Sequence, residues 1–443
     1  MTTILGIESK TASPSDIYII NYETTQSFFP FNYHNKLYDK SVKVNADKVF
    51  RKVYIDPSNL SFYNPIINSG YYDFMVYKNV IKPLLDYKIT PHFLRYYRIS
   101  EGIPAVNYIK ELQNIDNTIT EQQIGRNLWY MITTTPNRPS INKSYNPFAT
   151  NNEQFFLSTN QMTNLLINYI DLMVIDSNNS LNLYEYLQAN FPPEKPITED
   201  KKSELFIIYF QVLQALYALY LSNTIHNDLH SGNIYVTKRP QSKKIKYNIN
   251  GQEYNIQTNI CIRIYDFDRA YSIRLGNNPI LIHSSLSTTF SQNNQVVILK
   301  DFIKFYCYIN NYFSDNNIPN KDEVLPLTTF LEVDFFKNKN CFLQTADGIS
   351  IPNYKYETIA NFIVSESKKK AYGNMFYTFT MILGLKNFKK LDNVYEILLQ
   401  LFYANIDSKN KFSYKPDYEY NCDPSFFEGG ILKQRNPDCC SEF

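Results

Sequence analysis

Three oxygen-bearing side chains near the middle of the chain have a spacing suited to chemistry. Asp228 and Asn233 belong to residues 226–233 (HNDLHSGN), which have the pattern H-x-D-x-x-x-x-N and precede an apolar, β-prone run. Asp266 lies in residues 262–268 (IRIYDFD), a second strand-like run that ends in an acidic turn. Mg²⁺ is a hard cation that prefers oxygen ligands, and Asn233 and Asp266 could supply two of them. We therefore expect an oxygen-rich site where the two strands meet.

The two segments together resemble the catalytic loop and metal-binding turn of the protein-kinase fold, usually written H-R-D-x-x-x-x-N and D-F-G. The resemblance implies that Asp228 orients the attacking hydroxyl and accepts its proton. It implies that Asn233 and Asp266 bind Mg²⁺, with ATP as the phosphoryl donor. The implied fold class is α+β, a two-lobed kinase-like fold with a small β-rich N-terminal lobe and a larger helical C-terminal lobe.

Two other interpretations of the loop are less consistent with its residues. An Asn-rich surface loop could match by chance, but the joint pattern of both segments argues against it. His226 and His230 stand four residues apart, as in zinc-protease helices, yet that motif needs a Glu after the first His and this chain has Asn227. The glycine at 232 also disfavours a helix. We interpret His226 as structural, with its ring bonded to nearby backbone.

Composition sets wide bounds on function. Asn, Ile, Lys and Tyr are abundant while glycine is scarce, the bias that an AT-rich genome produces, so many of the 38 tyrosines need no functional explanation. A net charge of +2 gives no reason to expect nucleic-acid binding.

The cysteines show no C-x-x-C pairs, which favours a reducing compartment. The N-terminus has neither the basic nor the apolar region of a signal peptide. The apolar stretch 205–221 is long enough for a membrane span, but it contains Gln211 and Gln214, so we expect a buried helix and no membrane span. These features predict an intracellular protein that is not secreted.

The N-terminal region carries the nucleotide-binding residues that the resemblance implies. Strands are expected at 4–6 and 16–20, and Gly6 is the one glycine where kinases have a Gly-rich loop over the phosphates. A strand over 48–55 reads V-F-R-K where the family has V-A-I-K, so Lys52 would bind the phosphates. An exposed strand lysine is the alternative interpretation.

A helical pattern follows over residues 71–85 and carries Asp73 near its start. Kinases have a Glu in the equivalent helix, which pairs with the strand lysine, so the resemblance implies that Asp73 helps to bind the nucleotide through Lys52. The alternative is an acid favoured there by the helix dipole.

The rest of the chain is divided by its loop signals. We predict an N-terminal lobe over 1–175 with an insertion at about 101–165, a C-terminal lobe over 176–330, and a helical extension with a loose tail over 331–443. Other expected elements are helices over 181–189, 204–221, 299–306, 360–363, 376–383 and 394–402, a hinge near Asp176 reached by the apolar stretch 161–175, and a tail that is loose from Asn421.

Two features of the C-terminal lobe concern the site directly. Asp301 resembles the buried helix acid that fixes the backbone of the catalytic loop in kinases. Residues 243–252 carry an Asn-Gly signal and several lysines, which predicts a protruding, solvated basic hairpin.

The resemblance is closest to the divergent serine/threonine kinases of large DNA viruses, including poxviruses and iridoviruses. It covers about residues 1–310 and is strong over 225–270, and it implies a protein substrate that bears Ser or Thr. In that family Asp268 is tolerated in place of glycine. The uncharged Asn227 stands where kinases switched by phosphorylation carry Arg, so activity should not depend on the Ser/Thr cluster at 284–289.

Two alternatives remain open from the same residues. Protein kinases have a lysine two residues after the catalytic Asp, whereas this chain has His230, and H-x-D-x-H-x-x-N is typical of small-molecule kinases of the aminoglycoside and choline type. The missing glycines instead favour a pseudokinase that acts as a scaffold. Retention of Asp228, Asn233 and Asp266 argues against that scaffold role.

Overall fold

The computed structural model describes residues 43–44, 47–56, 69–107, 110, 166–174, 179–278, 300–325 and 394–433. Helices and β-sheets both form there, so the fold class is α+β, as predicted. The principal helices are α1 (Ser69–Val76), α2 (Lys82–Asp86), α3 (Leu183–Asn190), α4 (Glu199–Leu221), α5 (Lys300–Asp315) and α6 (Val394–Asn405). The strands are β1 (Lys43–Val44), β2 (Asp47–Asp56), β3 (Arg95–Pro104), β4 (Leu166–Val174), β5 (Ser180–Asn182), β6 (Thr224–Ile225), β7 (Ile234–Ile249), β8 (Gln252–Ile264), β9 (Tyr271–Ser272), β10 (Tyr418–Cys422), β11 (Phe427–Glu428) and β12 (Ile431–Leu432).

An antiparallel sheet of four strands, in the order β1-β2-β4-β3, contains the lysine strand. The strand expected over 48–55 is confirmed as β2, where Lys52 lies opposite Ile170 of β4. The apolar stretch 161–175 contributes a central strand of this sheet, β4. Residues 101–104 complete β3, so this strand extends a few residues past the start of the insertion predicted at about 101.

The helix expected over 71–85 is confirmed, although it is interrupted. A π-helical turn, Tyr77–Ile81, joins α1 to α2. Its first residue, Tyr77, is fully buried and packs edge-on against Phe267, with ring centroids 5.2 Å apart. The helix is thereby packed directly against the acidic turn that follows β8.

α4 is the central buried helix, as the sequence predicted. It is the described helix that is long and apolar enough to cross a membrane by length and composition, and 83% of its most apolar window is buried in the protein. Gln211 donates to the carbonyl of Ile260 (2.9 Å) and accepts from the amide of Ile262 (3.0 Å), both in β8. Gln214 donates to the carbonyl of Ile89 at 3.0 Å. The buried amides are therefore satisfied and anchor α4 to the strand that leads to Asp266.

The predicted hairpin forms, but it does not protrude. β7 and β8 pair through a turn in which Asn250 and Gly251 have φ of 48° and 77°, as a type I′ turn requires. Tyr247 is fully buried in the core, and β10 adds to β7 in parallel with Tyr418 opposite Ile245. The prediction of a solvated ribbon was therefore wrong, because one face of the hairpin lies in the core.

The C-terminal part of the chain is packed against the rest of the fold. The predicted helix over 394–402 is confirmed as α6, whose Phe402 ring lies 5.3 Å from that of Tyr209 in α4. The amide of Asn421 donates to the carbonyl of Lys88 at 3.0 Å. The prediction of a loose tail from Asn421 is thus wrong for residues 421–433.

Several predictions lie outside the described residues. They are the strands at 4–6 and 16–20 with Gly6, the insertion from 111 to 165, the hinge at Asp176, the Ser/Thr cluster at 284–289, and the helices at 360–363 and 376–383.

His92 is a fully buried histidine in the core between the sheets and α4. Its Nδ1 lies 3.2 Å from the carbonyl oxygen of Ile262, so it donates there, and its Nε2 lies 3.0 Å from the Tyr247 hydroxyl. Burial lowers the pKa of His92 from 6.5 to about 3, and the charge of nearby Arg263 acts in the same direction.

We expect His92 to make the fold sensitive to acid. The unfolded chain binds a proton at this residue below pH 6.5 while the folded chain does not until about pH 3, so stability is lost as pH falls through that window. In urea titrations the free energy of unfolding of His92→Gln should fall less steeply than that of the wild type, by up to about 1.4 kcal/mol per pH unit. Equal slopes for the two proteins would contradict this prediction.

Candidate active site

The loop with the H-x-D-x-x-x-x-N pattern begins after β6 and ends where β7 starts. A 3₁₀ turn over Ser231–Asn233 closes it, and the amide of Asn233 donates to the carbonyl of His230 at 2.9 Å. A Cβ added at Gly232 would lie 2.8 Å from Cε1 of the His230 ring. Glycine at 232 therefore leaves room for that ring inside the loop.

Asp301, in the first turn of α5, fixes the start of the loop. Its two carboxylate oxygens accept from the consecutive amides of His226 (2.7 Å) and Asn227 (2.8 Å), and its side chain is buried. Asn227 has φ of 64°, a left-handed conformation that Asn adopts more readily than most residues. The contact expected of Asp301 is confirmed.

His226 is structural, as predicted. Its Nε2 lies 2.9 Å from the carbonyl oxygen of Tyr265, and its Nδ1 accepts from the amide of Asp228 at 3.2 Å. The ring is fully buried and packs on Phe267 with centroids 4.9 Å apart. Because both ring nitrogens are hydrogen-bonded to backbone, His226 has no nitrogen left for a metal ion or for proton transfer.

The two predicted strands are confirmed as neighbours, with Ile234 opposite Ile264. The loop and the acidic turn are joined by the amide of Tyr265, which donates to the carbonyl of Asn233 at 3.1 Å. The side-chain amide of Asn233 donates to the carbonyl of Asp228 at 3.0 Å. Its carbonyl oxygen is then the atom that can face a cation, next to the turn that carries Asp266.

Asp73 lies at this turn as well. Its side chain is fully buried, and one carboxylate oxygen accepts from the amide of Phe267 at 2.7 Å. Asp266, immediately before, has φ of 73°. Burial and this bond make Asp73 more than an acid favoured by the helix dipole, since it holds the acidic turn against α1. The backbone of Lys52 lies in β2, opposite Ile170 of β4.

Asp228 is surrounded by positive charge. Lys304 of α5 hydrogen-bonds to its Oδ1, and Nη1 of Arg269 lies 3.4 Å from its Oδ2. Burial by itself would raise the pKa of Asp228, but the charges of Lys304 and Arg269 outweigh it and hold the pKa well below its usual value. Asp228 is therefore an ionised carboxylate at neutral pH.

His230 faces the same carboxylate without adding a full charge. Its Nε2 lies 4.0 Å from Oδ2 of Asp228, and its Nδ1 accepts from the amide of Gly232 at 3.0 Å. Burial lowers the pKa of His230 more than the charge of Asp228 raises it. The ring is thus neutral at pH 7, and it packs edge-on against Tyr308.

Sequence reasoning missed Lys304 and Arg269. Both had a signal: Lys304 stands three residues after Asp301, one turn along the same helical face, and Arg269 directly follows the acidic turn. The structure brings together Asp228, Asn233, Asp266 and Asp73 around the junction of β7 and β8.

The donor types at the junction of β7 and β8 are ones that Mg²⁺ accepts. In the described part of the chain, no three or more His, Cys, Asp or Glu side chains form a group that could hold a metal. Asp266 and Asn233 instead offer one carboxylate and one amide oxygen. Mg²⁺ in such sites takes one or two protein ligands and completes its shell with phosphate oxygens and water.

The chain has no match among known families by sequence. No protein-family model matches it, and no curated protein matches it either.

Proposed function

We propose that this chain is an ATP- and Mg²⁺-dependent phosphotransferase with a two-lobed protein-kinase-like fold, and that it phosphorylates Ser or Thr hydroxyls of a protein substrate. The observation that carries the proposal is the pair of hydrogen bonds from the His226 and Asn227 amides to Asp301. Those bonds fix the loop in which Asp228 and Asn233 are set. Such a loop beside an acidic turn is what the kinase resemblance implies.

The proposed reaction needs little covalent chemistry from the protein. The acceptor oxygen forms a bond to the γ-phosphorus, the bond from that phosphorus to the bridging oxygen breaks, and ADP leaves with the electron pair. Asp228, an ionised carboxylate, orients the acceptor hydroxyl and takes its proton. When bound, Mg²⁺ neutralises phosphate charge, and Asn233 and Asp266 would hold it. Most of the rate enhancement would come from positioning and electrostatics.

The order of elements on the N-terminal side supports the same proposal. β2 carries V-F-R-K, and the next described helix carries Asp73. In kinases the phosphate-binding lysine lies on a strand and its acidic partner on the following helix. Lys52 is therefore the proposed phosphate-binding lysine. The bond from Phe267 to Asp73 couples this helix to the metal-binding turn.

One observation favours a second acceptor class. His230, at the position where protein kinases have a lysine, lies beside Asp228 as a neutral ring, and small-molecule kinases of the aminoglycoside and choline type share that pattern. Incubation with labelled ATP, Mg²⁺ and a protein mixture should label protein Ser or Thr. Transfer only to a small alcohol would support the second class instead. Absence of any nucleotide binding would support a scaffold and overturn the proposal.

The resemblance to viral kinases extends the proposal to location. An enzyme of that kind would act inside an infected cell, in the host cytoplasm or the virion, on protein substrates. We propose no nucleic-acid partner, because the net charge of +2 gives no excess of positive charge for one.

Asp301→Asn should lower turnover with little change in the affinity for Mg·ATP. The amide has one accepting oxygen, so one of the two loop amides loses its partner and Asp228 shifts. Since misplacement of reacting groups by about 1 Å can cost about 10²-fold in rate, we expect a loss of at least tenfold. Asp315→Asn, at the exposed end of the same helix, is the matched control and should keep wild-type turnover. A folded Asp301→Asn protein with full activity would contradict the loop assignment.

Substitution of Asp266 and substitution of Asp228 should affect ATP affinity and turnover differently. Asp266→Asn removes the charged metal ligand, so Mg²⁺-dependent ATP affinity and turnover should fall together. Asp228→Asn removes the group that handles the acceptor, so ATP affinity should persist while turnover falls by roughly 10²–10⁴. Titration of a fluorescent ATP analogue with and without Mg²⁺, beside single-turnover rates, measures both quantities. An equal loss of binding in both variants would undo these roles.

A further inference from the structure

Lys304 and Arg269 are two cations that approach one carboxylate from different directions. Lys304 reaches Asp228 from α5 and is mostly buried, with 18% of its side chain exposed, while Arg269 comes from the segment after the acidic turn. Lys304 also lies 3.4 Å from the carbonyl oxygen of Asn227. Its ammonium group is thus held at the loop by two bonds.

The loop itself supplies no full positive charge at this place. Nδ1 of His230 accepts from the Gly232 amide, so it carries no proton, and an imidazole with one protonated nitrogen is uncharged. Asn227 is uncharged as well. In the described part of the chain, the positively charged side chains that contact Asp228 are Lys304 and Arg269.

The distance from Asp228 to the transferred phosphorus determines what Lys304 and Arg269 can contact during the reaction. A hydroxyl bound to Asp228 lies about 3 Å from the carboxylate, and the phosphorus it attacks lies about 3–3.5 Å further in a reactive geometry. A lysine ammonium has three donors, so one can stay on Asp228 while another meets an oxygen of the transferred group. Arg269 is longer, is 38% exposed and presents a fork that suits phosphate.

We propose that Lys304 is the cation that meets the transferred phosphoryl group, in the place of the lysine that kinases carry two residues after the catalytic Asp, and that Arg269 assists it. This inference rests on the proposed phosphotransferase function. Lys304 takes no proton and forms no covalent bond. It balances the negative charge that develops on the phosphoryl oxygens while Asp228 holds the acceptor. One helix, α5, therefore provides both Asp301, which fixes the loop, and the positive charge of Lys304.

A purely structural role for Lys304 makes different predictions. If it only neutralised Asp228, its removal would do nothing further once Asp228 had become neutral. We therefore test Lys304→Met in the wild-type background and again in the Asp228→Asn background. Lys304→Arg tests whether a charge restores rate, and Lys321→Met, which loses a bond to Ser314 outside the site, is the matched control.

We expect Lys304→Met to lower kcat by about 10²–10³, the scale for losing one electrostatic donor to a transition state, with Mg·ATP affinity within about threefold of wild type. Lys304→Arg should recover at least about tenfold of that loss. In the Asp228→Asn background Lys304→Met should lower the residual single-turnover rate by a further tenfold or more. Lys321→Met should match the wild type.

The outcomes separate this inference from the function on which it rests. If the wild type is active and the kcat of Lys304→Met is within threefold of the wild-type value, the inference is overturned. The proposed phosphotransferase function is then unaffected. Equal single-turnover rates for Asp228→Asn and for the Asp228→Asn, Lys304→Met double variant would also overturn the inference. The comparison of these two variants remains informative if Lys304→Met alone fails to fold, because the double variant has no unpaired carboxylate at 228. A wild type that neither binds ATP nor transfers phosphate to any acceptor overturns the proposed function first.

Discussion

The candidate site depends on one carboxylate, Asp301, which accepts hydrogen bonds from two consecutive loop amides. Two adjacent N–H groups can point at one acceptor only if the backbone between them turns sharply, and Asn227 provides this with its left-handed conformation. A carboxylate has two accepting oxygens and no donor, so it matches the two amides better than any neutral side chain. Charge strengthens both bonds. This attachment fixes the backbone directly before Asp228, while Asn233 is held separately by its bonds to Asp228 and Tyr265.

Both halves of the site are tied to the same buried helix. α4 packs against α5 through the rings of Tyr209 and Phe305, with centroids 6.0 Å apart, and α5 carries Asp301. On another face, Gln211 bonds to the backbone of β8, whose end leads to Asp266. An apolar residue at 211 would leave two buried backbone groups of β8 without this partner, at a cost that is large for such groups. Gln211 thus ties α4 to the strand that leads to the turn, while the aromatic contact ties α4 to the helix that fixes the loop.

Local features were predictable from the sequence, because neighbouring residues determine them. The H-x-D-x-x-x-x-N loop, the Asn-Gly turn and the acid at 301 each carry their own signal. The pairing of β10 with β7 was not predictable, since it joins residues more than 150 positions apart through backbone groups that every sequence has. The sequence did contain a signal against a protruding hairpin. Residues 245–249 alternate apolar and polar, and that period of two already indicates one buried face.

The positive charge around Asp228 comes from residues outside the H-x-D-x-x-x-x-N loop, so the motif by itself does not predict it. Burial by itself raises the pKa of Asp228, and nearby cations lower it, so an ionised carboxylate there depends on positive charge from its surroundings. The resembled kinases place it in the loop, as Lys and Arg beside the Asp. Here α5 carries Asp301 and Lys304 one turn apart, so the element that fixes the loop also delivers its countercharge. A loop whose countercharge comes from Lys304 and Arg269 can have uncharged residues at 227 and 230.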